Sequence, residues 1–331
     1  MTINTFWRPL GLICCGAIAS CSQNDDRALT VYVSADDYVA KEVFNAFTEQ
    51  TSISINWVGD TEALKTTALV QRLIKEKEHP VADVFWSSDI MGALALQSAG
   101  VLEPCQTSVT LQWPSTLKDT GMHWFAFSPR ARVIAFNPAV ENRSELPTDW
   151  WSYASASFAD PRFGTTGTHF AVMSRFENRF KEFEPNLSNT PMLGGNAATV
   201  QAVIDGRVRF AMTDSDDVFA AQARGHSIDY ILPRHDGTEG GGTLYIPNVV
   251  CLIRGASRNE EAKAFINFML SDKVARILAK SHSKNFPVQP SVQLEFPNLQ
   301  MIDPLVVEWE DVFDVKEQVI SGLMESIKSN H

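Results

Sequence analysis

The sequence of 331 residues lacks the features that define several large classes of proteins. Beyond its N-terminal segment, no apolar run reaches the ~20 residues that a membrane-spanning helix needs. It has no basic run, and its 39 acidic side chains outnumber the 28 of Lys and Arg, so we expect no nucleic acid as a partner. No GxSxG elbow, HExxH motif or dinucleotide-binding GxGxxG occurs in the required context. These absences favour a globular binding protein over an enzyme, and no resident cofactor is expected.

Cysteine is also scarce, with five residues in the whole chain. Cys14 and Cys15 fall within a predicted export signal, and Cys21 falls at its cleavage site. Only Cys105 and Cys251 remain for the folded protein. A disulfide between them is permitted outside the cytoplasm, but the sequence does not set their separation, so their pairing stays open.

The first residues are typical of a bacterial lipoprotein signal. Arg8 provides a positive charge, Leu10–Ala19 is apolar and small, and Ile18-Ala19-Ser20-Cys21 resembles a lipobox. We therefore predict that residues 1–20 are removed, that Cys21 is acylated and that residues 21–28 form a tether. A plain signal peptide cut nearby and a short membrane helix are the alternatives. The predicted location is the periplasm, with the membrane contacted through the lipid anchor only.

A recurring order of strand, polar loop and helix predicts an α/β fold. Residues 29–33 alternate as in a strand, and apolar residues follow at helix spacing over 39–47. The same order recurs in residues 52–74 and 81–98, which is the βαβ rhythm of a parallel sheet. Three extended stretches, 124–137, 243–253 and 286–290, are suited to crossing between lobes. The length fits two α/β lobes or one large domain.

The loops after the predicted strands carry hydroxyls, amides and carboxylates. In open α/β sheets, ligands lie at the carboxyl ends of strands, against the first turns of the following helices. Arg130, on an extended stretch, is a candidate clamp for an anion, and Tyr245 is an aromatic residue that could face a cleft. The loop candidates are Ser34, Asp36, Asp60, Thr61, Ser87, Ser88, Thr165, Thr166, His169, Asn196, Thr213, Asp214, Asp216 and Asp217.

This set of side chains suits either a small oxyanion or a hard cation with oxygen ligands. Each candidate also has an ordinary structural explanation. Ser and Asp are common helix N-caps, Arg130 could pair with one of the many carboxylates, Tyr245 could simply pack, and His169 could be a surface or capping residue.

Segments spread over residues 29–288 resemble the substrate-binding proteins of bacterial ABC importers, in particular the branch of ferric-ion-binding proteins. The matching segments are VYVSADDYVAKEVFNAFTEQTSI, VGDTEALKTTALVQRLIKEK, ADVFWSSDI, AGVLEP, RARVIAFNP, FGTTGTHFA, AMTDSDD, GTLYIPNVVCLIRGA and FINFMLSDKVARILA. The resemblance implies a two-lobe periplasmic-binding-protein fold of type II, with the ligand cleft between lobes joined by extended crossover strands. It assigns residues 29–126 and 251–286 to lobe 1, and 127–250 and 287–331 to lobe 2.

The resemblance also implies a function and its partners. The chain would be a monomeric receptor that captures ferric iron as cargo and delivers it to a membrane permease with its ATPase subunit. In the better-known ferric binders, the metal ligands are a His in the first loop, a Glu after the ADVF-type strand and an adjacent Tyr-Tyr pair. Those positions hold Asp36, Ser88 (or Asp89 after a shift of one residue) and Asp216-Asp217 here.

The implied metal ligands are therefore Asp36, Asp216 and Asp217, with a bound anion completing the shell. The hydroxyls of residues 164–169 and of Thr213 would suit that anion. Two alternatives remain. The chain could be a receptor for a phosphonate, sugar phosphate or other small organic anion without metal, or an enzyme or sensor on the same fold.

Overall fold

A computed structural model describes residues 28–59 and 67–329 of the chain. The predicted signal segment, the acylation site Cys21, most of the predicted tether, and the candidate ligand residues Asp60 and Thr61 lie outside these ranges.

The first half of the described chain alternates strands and helices, as the hydrophobic pattern predicts. Its elements are β1 (Leu29–Val33), α1 (Asp37–Thr51), β2 (Ile55–Gly59), α2 (Thr67–Lys75), β3 (Val84–Ser87), α3 (Ile90–Ser98), β4 (Leu102–Glu103), α4 (Ser108–Gln112) and β5 (Trp124–Phe136).

The second half contains shorter strands and more helices. Its elements are β6 (Phe158–Ala159), α5 (Gly164–Met173), α6 (Glu177–Phe183), β7 (Met192–Leu193), α7 (Asn196–Ile204), β8 (Phe210–Asp214), α8 (Ser215–Ala223), β9 (Asp229–Ile231), β10 (Tyr245–Ile253), α9 (Asn259–Met269), α10 (Asp272–Lys280), α11 (Pro290–Gln293) and α12 (Trp309–Ser329).

The larger sheet has the strand order β2-β1-β3-β10-β5-β8, with β4 beside β10 and β9 beside β5. β1 is parallel to both β2 and β3, which confirms the predicted βαβ units. β10 and β5 are antiparallel to each other, so the sheet is mixed rather than purely parallel. β10 is also antiparallel to β3, and β5 is antiparallel to β8.

The long strand β5 changes its partners along its length. Its first half, from Trp124 to Ala131, pairs with β10, and its second half, from Arg132 to Phe136, pairs with β8. The register of the β5–β10 pair shifts close to Ser128, which has a positive φ of 38°. The backbone N–H of Phe286, in the third predicted crossing, donates to the carbonyl of Pro129 at 2.8 Å. The three extended stretches therefore meet at one point of the sheet.

Helices cover both faces of the sheet because successive side chains of each strand point to opposite faces. Val31 and Val33 pack in one buried cluster with residues of α1, α9 and α10, whereas Tyr32 packs in another with residues of α2 and α3. Cys105 belongs to the first cluster and Cys251 to the second. Both are free, buried thiols, so the pairing that the sequence left open does not form.

Gly167 allows helix α5 to lie close to the loop that precedes it. A Cβ atom at this position would overlap the carbonyl oxygen of Pro161, whereas a Cβ at Gly322 of α12 would meet no atom within 4 Å. We expect Gly167→Ala to lower the free energy of unfolding by about 1–3 kcal/mol through overpacking. The matched change Gly322→Ala should raise it by up to about 1 kcal/mol, because Ala is the better helix former. Urea denaturation measures both, and equal stability of the Gly167 variant and the wild type would contradict the expectation.

Candidate functional site

A cavity of about 160 Å³ lies at the carboxyl ends of β1, β3 and β8. Its walls include the first turns of α1, α5, α7 and α8 and the N-cap residue of α3. Helix N-termini carry unpaired N–H groups and the positive end of the helix dipole, so their convergence favours an anionic ligand group. The glycines Gly164, Gly194 and Gly195 in this wall leave the backbone open, since a Cβ at each would meet nothing within 4 Å.

The structure brings together ten of the sixteen residues that the sequence nominated as ligand or metal contacts. The ten that line the cavity are Ser34, Asp36, Ser88, Arg130, Thr165, Thr166, Asn196, Asp214, Asp216 and Asp217. Asp60 and Thr61 lie outside the described residues. The other four, Ser87, His169, Thr213 and Tyr245, are buried but do not line the cavity.

Those four residues have structural partners instead. Ser87 donates to the carbonyl of Asp89 at 2.6 Å, Thr213 donates to the carbonyl of Asn196 at 3.4 Å, and the ring of Tyr245 packs edge-on against Phe286. Burial raises the pKa of Tyr245 to about 12. His169 lies one layer behind the cavity, against Arg132.

Asp214 is the centre of the hydrogen-bond network in the cavity wall. Its Oδ1 accepts from Arg132 at 2.8 Å, and its Oδ2 accepts from Thr165 at 2.6 Å and from Asn196 at 2.9 Å. Arg130 Nε lies 3.2 Å from the same Oδ2. Burial alone would raise the pKa of Asp214, but the two guanidinium groups outweigh it and lower the pKa. The carboxylate is therefore ionised, and its oxygens are already occupied by protein donors.

The local sequence explains this arrangement. Arg130 and Arg132 are two residues apart on β5, so their side chains leave the same face, and Arg132 is the cross-strand partner of Asp214 on β8. Thr165 lies in the first turn of α5, and Asn196 opens α7. The alternation Arg-Ala-Arg in an otherwise apolar strand is the sequence signal for this pair.

Arg130 connects two walls of the cavity. Its Nη2 donates to the carbonyl of Ser88 at 2.5 Å, and its Nη1 lies 3.5 Å from Asp216 Oδ2. Burial opposes the charge of Arg130, but the carboxylates of Asp216 and Asp214 raise its pKa above the ordinary value, so it remains a cation. The structure contains the ion pair with carboxylates, and Arg130 also lines the cavity.

Three aspartates form an acidic cluster beside Arg130. One carboxylate oxygen from each of Asp214, Asp216 and Asp217 lies within 4.8 Å of the others. Asp214 already accepts hydrogen bonds from Arg132, Thr165 and Asn196. Asp216 and Asp217 line the cavity, as does Asp36. Burial, together with the charges of Asp36, Asp216 and Asp217, raises the pKa of the nearby Tyr38 phenol.

The sequence did not nominate several polar residues that line the cavity. Asn248 sits on β10, where its amide donates to the carbonyl of Ser128 at 2.6 Å, and Asp160 is held by Arg162. Ser283 and Asn285 come from the chain after α10. The sequence indicates these residues only weakly. Asn248 interrupts an apolar strand, and Ser283 and Asn285 precede the third extended stretch.

Sequence comparison places the chain among known proteins. The family of bacterial extracellular solute-binding proteins matches residues 29–282. Iron uptake protein A1 of Synechocystis sp. is 23% identical over 308 residues, with 84% of this chain and 83% of the relative covered. The major ferric iron-binding protein of Neisseria meningitidis is 24% identical over 294 residues (84% and 85% covered). A putative 2-aminoethylphosphonate-binding periplasmic protein of Salmonella typhi is 25% identical over 303 residues (86% and 85% covered).

Solved structures share the fold. Iron-bound HitA from Pseudomonas aeruginosa superimposes with a TM-score of 0.78 at 19% identity, covering 89% of this chain and 99% of that one. The apo ferric ion-binding protein A of Pasteurella haemolytica gives 0.79 at 18% identity, covering 92% and 99%. The predicted two-lobe periplasmic-binding-protein fold is thereby confirmed.

The fold and the cavity define a solute-binding protein, and the chain belongs to the bacterial extracellular solute-binding protein family. Proteins of this family are periplasmic or extracellular receptors that bind a small ligand and work with the permease and ATPase components of ABC transporters. In the described ranges, every helix is too short or too polar to cross a membrane.

Proposed function

We propose that this chain is the receptor of an ABC importer, that it captures ferric iron together with a bound anion, and that it delivers the iron to a membrane permease. The observation that carries the proposal is the set of carboxylates, Asp36, Asp216 and Asp217, facing a cavity walled by helix N-termini. Fe(III) is a hard cation that favours oxygen ligands. The relatives named iron uptake protein and ferric iron-binding protein support the same ligand.

The cavity offers separate roles for its residues. Asp36, Asp216 and Asp217 hold the metal, and three carboxylates balance its triple charge. The anion completes the shell against the hydroxyls of Ser34, Ser88, Thr165 and Thr166 and the neighbouring helix N-termini. Arg130 lies beside this anion position and is kept in place by Asp214.

The proposed lobes are residues 29–126 with 251–286, and residues 127–250 with 287–331. The change of partner along β5, and the convergence of the three extended stretches near Pro129, support these boundaries. Closure of the lobes about this point would bring Asp36 towards Asp216 and Asp217. We further propose that the protein acts as a monomer, anchored to the membrane through acylated Cys21 after removal of residues 1–20.

A second candidate ligand is a small organic phosphonate that carries an ammonium group. Among the described residues that line the cavity there is no Tyr, His or Cys, so the strong ferric ligands of the better-known iron binders are replaced by aspartates and hydroxyls. An ammonium could occupy the carboxylate side and a phosphonate the helix N-termini. The relative named for 2-aminoethylphosphonate binding favours this candidate.

Direct loading of purified protein, first stripped of metal by a chelator, separates the two candidates. We expect ferric ion supplied with phosphate to remain bound through gel filtration in an equimolar amount by elemental analysis, and to raise the melting temperature. A ligand at 100 times its Kd stabilises the folded state by about 2.7 kcal/mol. Stabilisation by 2-aminoethylphosphonate in the presence of chelator would show that the ligand is the aminophosphonate and not iron. No response to any of these ligands would contradict both, and chemical turnover of a ligand would indicate an enzyme.

A further inference from the structure

A chain of four buried groups lies directly behind Asp214. Arg132 Nε donates to Nδ1 of His169 at 3.3 Å, Nε2 of His169 lies 2.9 Å from Nε2 of His235, and Nδ1 of His235 lies 3.0 Å from the carbonyl oxygen of Gly242. Arg132 and His235 are 0% exposed, and His169 is 1% exposed. Trp150 stacks on the ring of His235 and meets the ring of His169 edge-on, so both imidazoles are fixed in orientation.

The groups at the two ends of this hydrogen-bonded series determine which ring nitrogen of His169 and of His235 carries a proton. The carbonyl of Gly242 can only accept, so Nδ1 of His235 carries its proton and Nε2 is a lone pair. Nε2 of His169 must then donate, which leaves Nδ1 of His169 as the acceptor for the guanidinium of Arg132. Each ring is neutral, since a second proton on either would place two donors against each other. Burial, with the charge of Arg132, lowers the pKa of both histidines, that of His235 to about 4.

This proton order limits how Arg132 can meet Asp214. With Nε donating to His169, the side-on fork of Nε and Nη2 is not available to Asp214, and Arg132 reaches Asp214 through Nη1, at Oδ1. Asp214 Oδ2 therefore stays available to Thr165, Asn196 and Arg130 in the cavity wall. If His169 did not hold Nε, the guanidinium could turn and form the two-pronged pair with Asp214 that arginine favours, and Oδ2 would be withdrawn from the cavity residues.

We propose that His169 and His235 are positioning residues: through the single proton order running from Gly242 to Arg132, they make Asp214 present one oxygen to the cavity and so set the affinity for the solute. The inference rests on the proposed function in assuming that the solute binds in this cavity. Neither histidine contacts the solute. His169 was nominated from sequence as a direct contact, and its role here is exerted through Arg132 and Asp214.

Nitrogen NMR of the ligand-free protein at neutral pH tests the proton order itself. We expect His169 to be protonated at Nε2 only and His235 at Nδ1 only. His169 protonated at Nδ1, or either ring doubly protonated, would overturn the proposal whether or not any solute binds.

Substitutions test the link between the two histidines and the affinity for the solute. The probe is whichever one binds the wild type, ferric ion with phosphate or 2-aminoethylphosphonate. His169→Phe keeps a ring against Trp150 but removes the acceptor for Arg132, and should weaken binding about 10- to 100-fold, as loss of a supporting partner does behind metal ligands. His169→Asn places an amide oxygen near the position of Nδ1 and should restore most of the affinity. His235→Gln, which keeps an acceptor near the position of Nε2, should bind more tightly than His235→Phe.

The exposed His79, outside the cavity lining, provides the control, and His79→Phe should bind as the wild type does. Circular dichroism and melting curves establish that each variant is folded. Should His169→Phe fail to fold, the His235 pair and the wild-type NMR experiment decide the question. Absence of binding by the wild type would contradict the proposed function, whereas a folded His169→Phe protein with wild-type affinity would contradict this inference alone.

Discussion

Replacing Asp214 by Ala is expected to lower the free energy of unfolding by about 3–5 kcal/mol, the usual loss when one partner of a buried ion pair is removed. The change leaves the fully buried guanidinium of Arg132 without its counter-ion and removes the acceptor for Thr165 and Asn196. Chemical denaturation at neutral pH measures the loss. Asp205→Ala is the matched control, because Asp205 forms an exposed pair with Arg207 and its loss should leave stability nearly unchanged.

The effect of Asp214→Ala should also depend on pH. The arginines lower the pKa of this carboxyl below its ordinary value of 3.8. Its ionised form therefore contributes stability above pH 3.8, and this contribution is lost as the pH falls through the lowered pKa. The difference between the wild type and the variant should shrink in that acid range. A variant within 1 kcal/mol of the wild type at pH 7 would show that Asp214 does not organise this wall.

The second large effect is expected on ligand binding. Asp216→Ala combined with Asp217→Ala should reduce affinity for ferric ion by at least about 100-fold, because it removes two of the three carboxylates proposed to hold the metal. Both side chains are half-buried, so the fold should tolerate the change better than it tolerates Asp214→Ala. Competition with citrate, followed by elemental analysis of the protein, measures the affinity.

Asp160 provides a control within the same cavity. Its carboxylate is held by Arg162, so Asp160→Ala should leave ferric affinity within about threefold of the wild type.

Retention of iron by the variant that lacks both Asp216 and Asp217 would show that the metal assignment is wrong. If the ligand is instead an aminophosphonate, the double variant should lose 2-aminoethylphosphonate but retain ethylphosphonate, which has no ammonium group.

Much of the fold follows from local pattern. The strand–helix unit that begins at Leu29 was predicted from period-2 and period-3.6 spacing, and the unit over residues 81–98 from an apolar run followed by a helix. The structure contains them as β1–α1 and β3–α3. The extended stretches at Trp124 and Tyr245 were also predicted, as crossings between lobes. Their antiparallel pairing was not, because the direction in which two distant strands meet depends on contacts far apart in sequence. The exact lobe boundaries remain a prediction.

The candidate site was predictable as a set of loops, but not residue by residue. Ser87 and Ser88 are adjacent and chemically identical, yet Ser88 lines the cavity while Ser87 binds its own turn. The difference arises where β3 ends and the chain turns into α3, which local spacing does not resolve. Asn248 was missed because a single polar residue in an apolar strand has no distinctive pattern.

The sequence by itself determined the class of this protein: an α/β chain whose strand-end loops are rich in hydroxyls and carboxylates, with a predicted export signal and a family resemblance that the comparisons confirmed. Only the tertiary structure decided which charges meet. It paired Arg130 and Arg132 with Asp214, left Asp216 and Asp217 facing the cavity, and placed His169 against His235, 66 positions away in the chain. The physical reason is that the strength and geometry of such interactions depend on distances and burial created by packing, and these are not encoded in the spacing of residues along the chain.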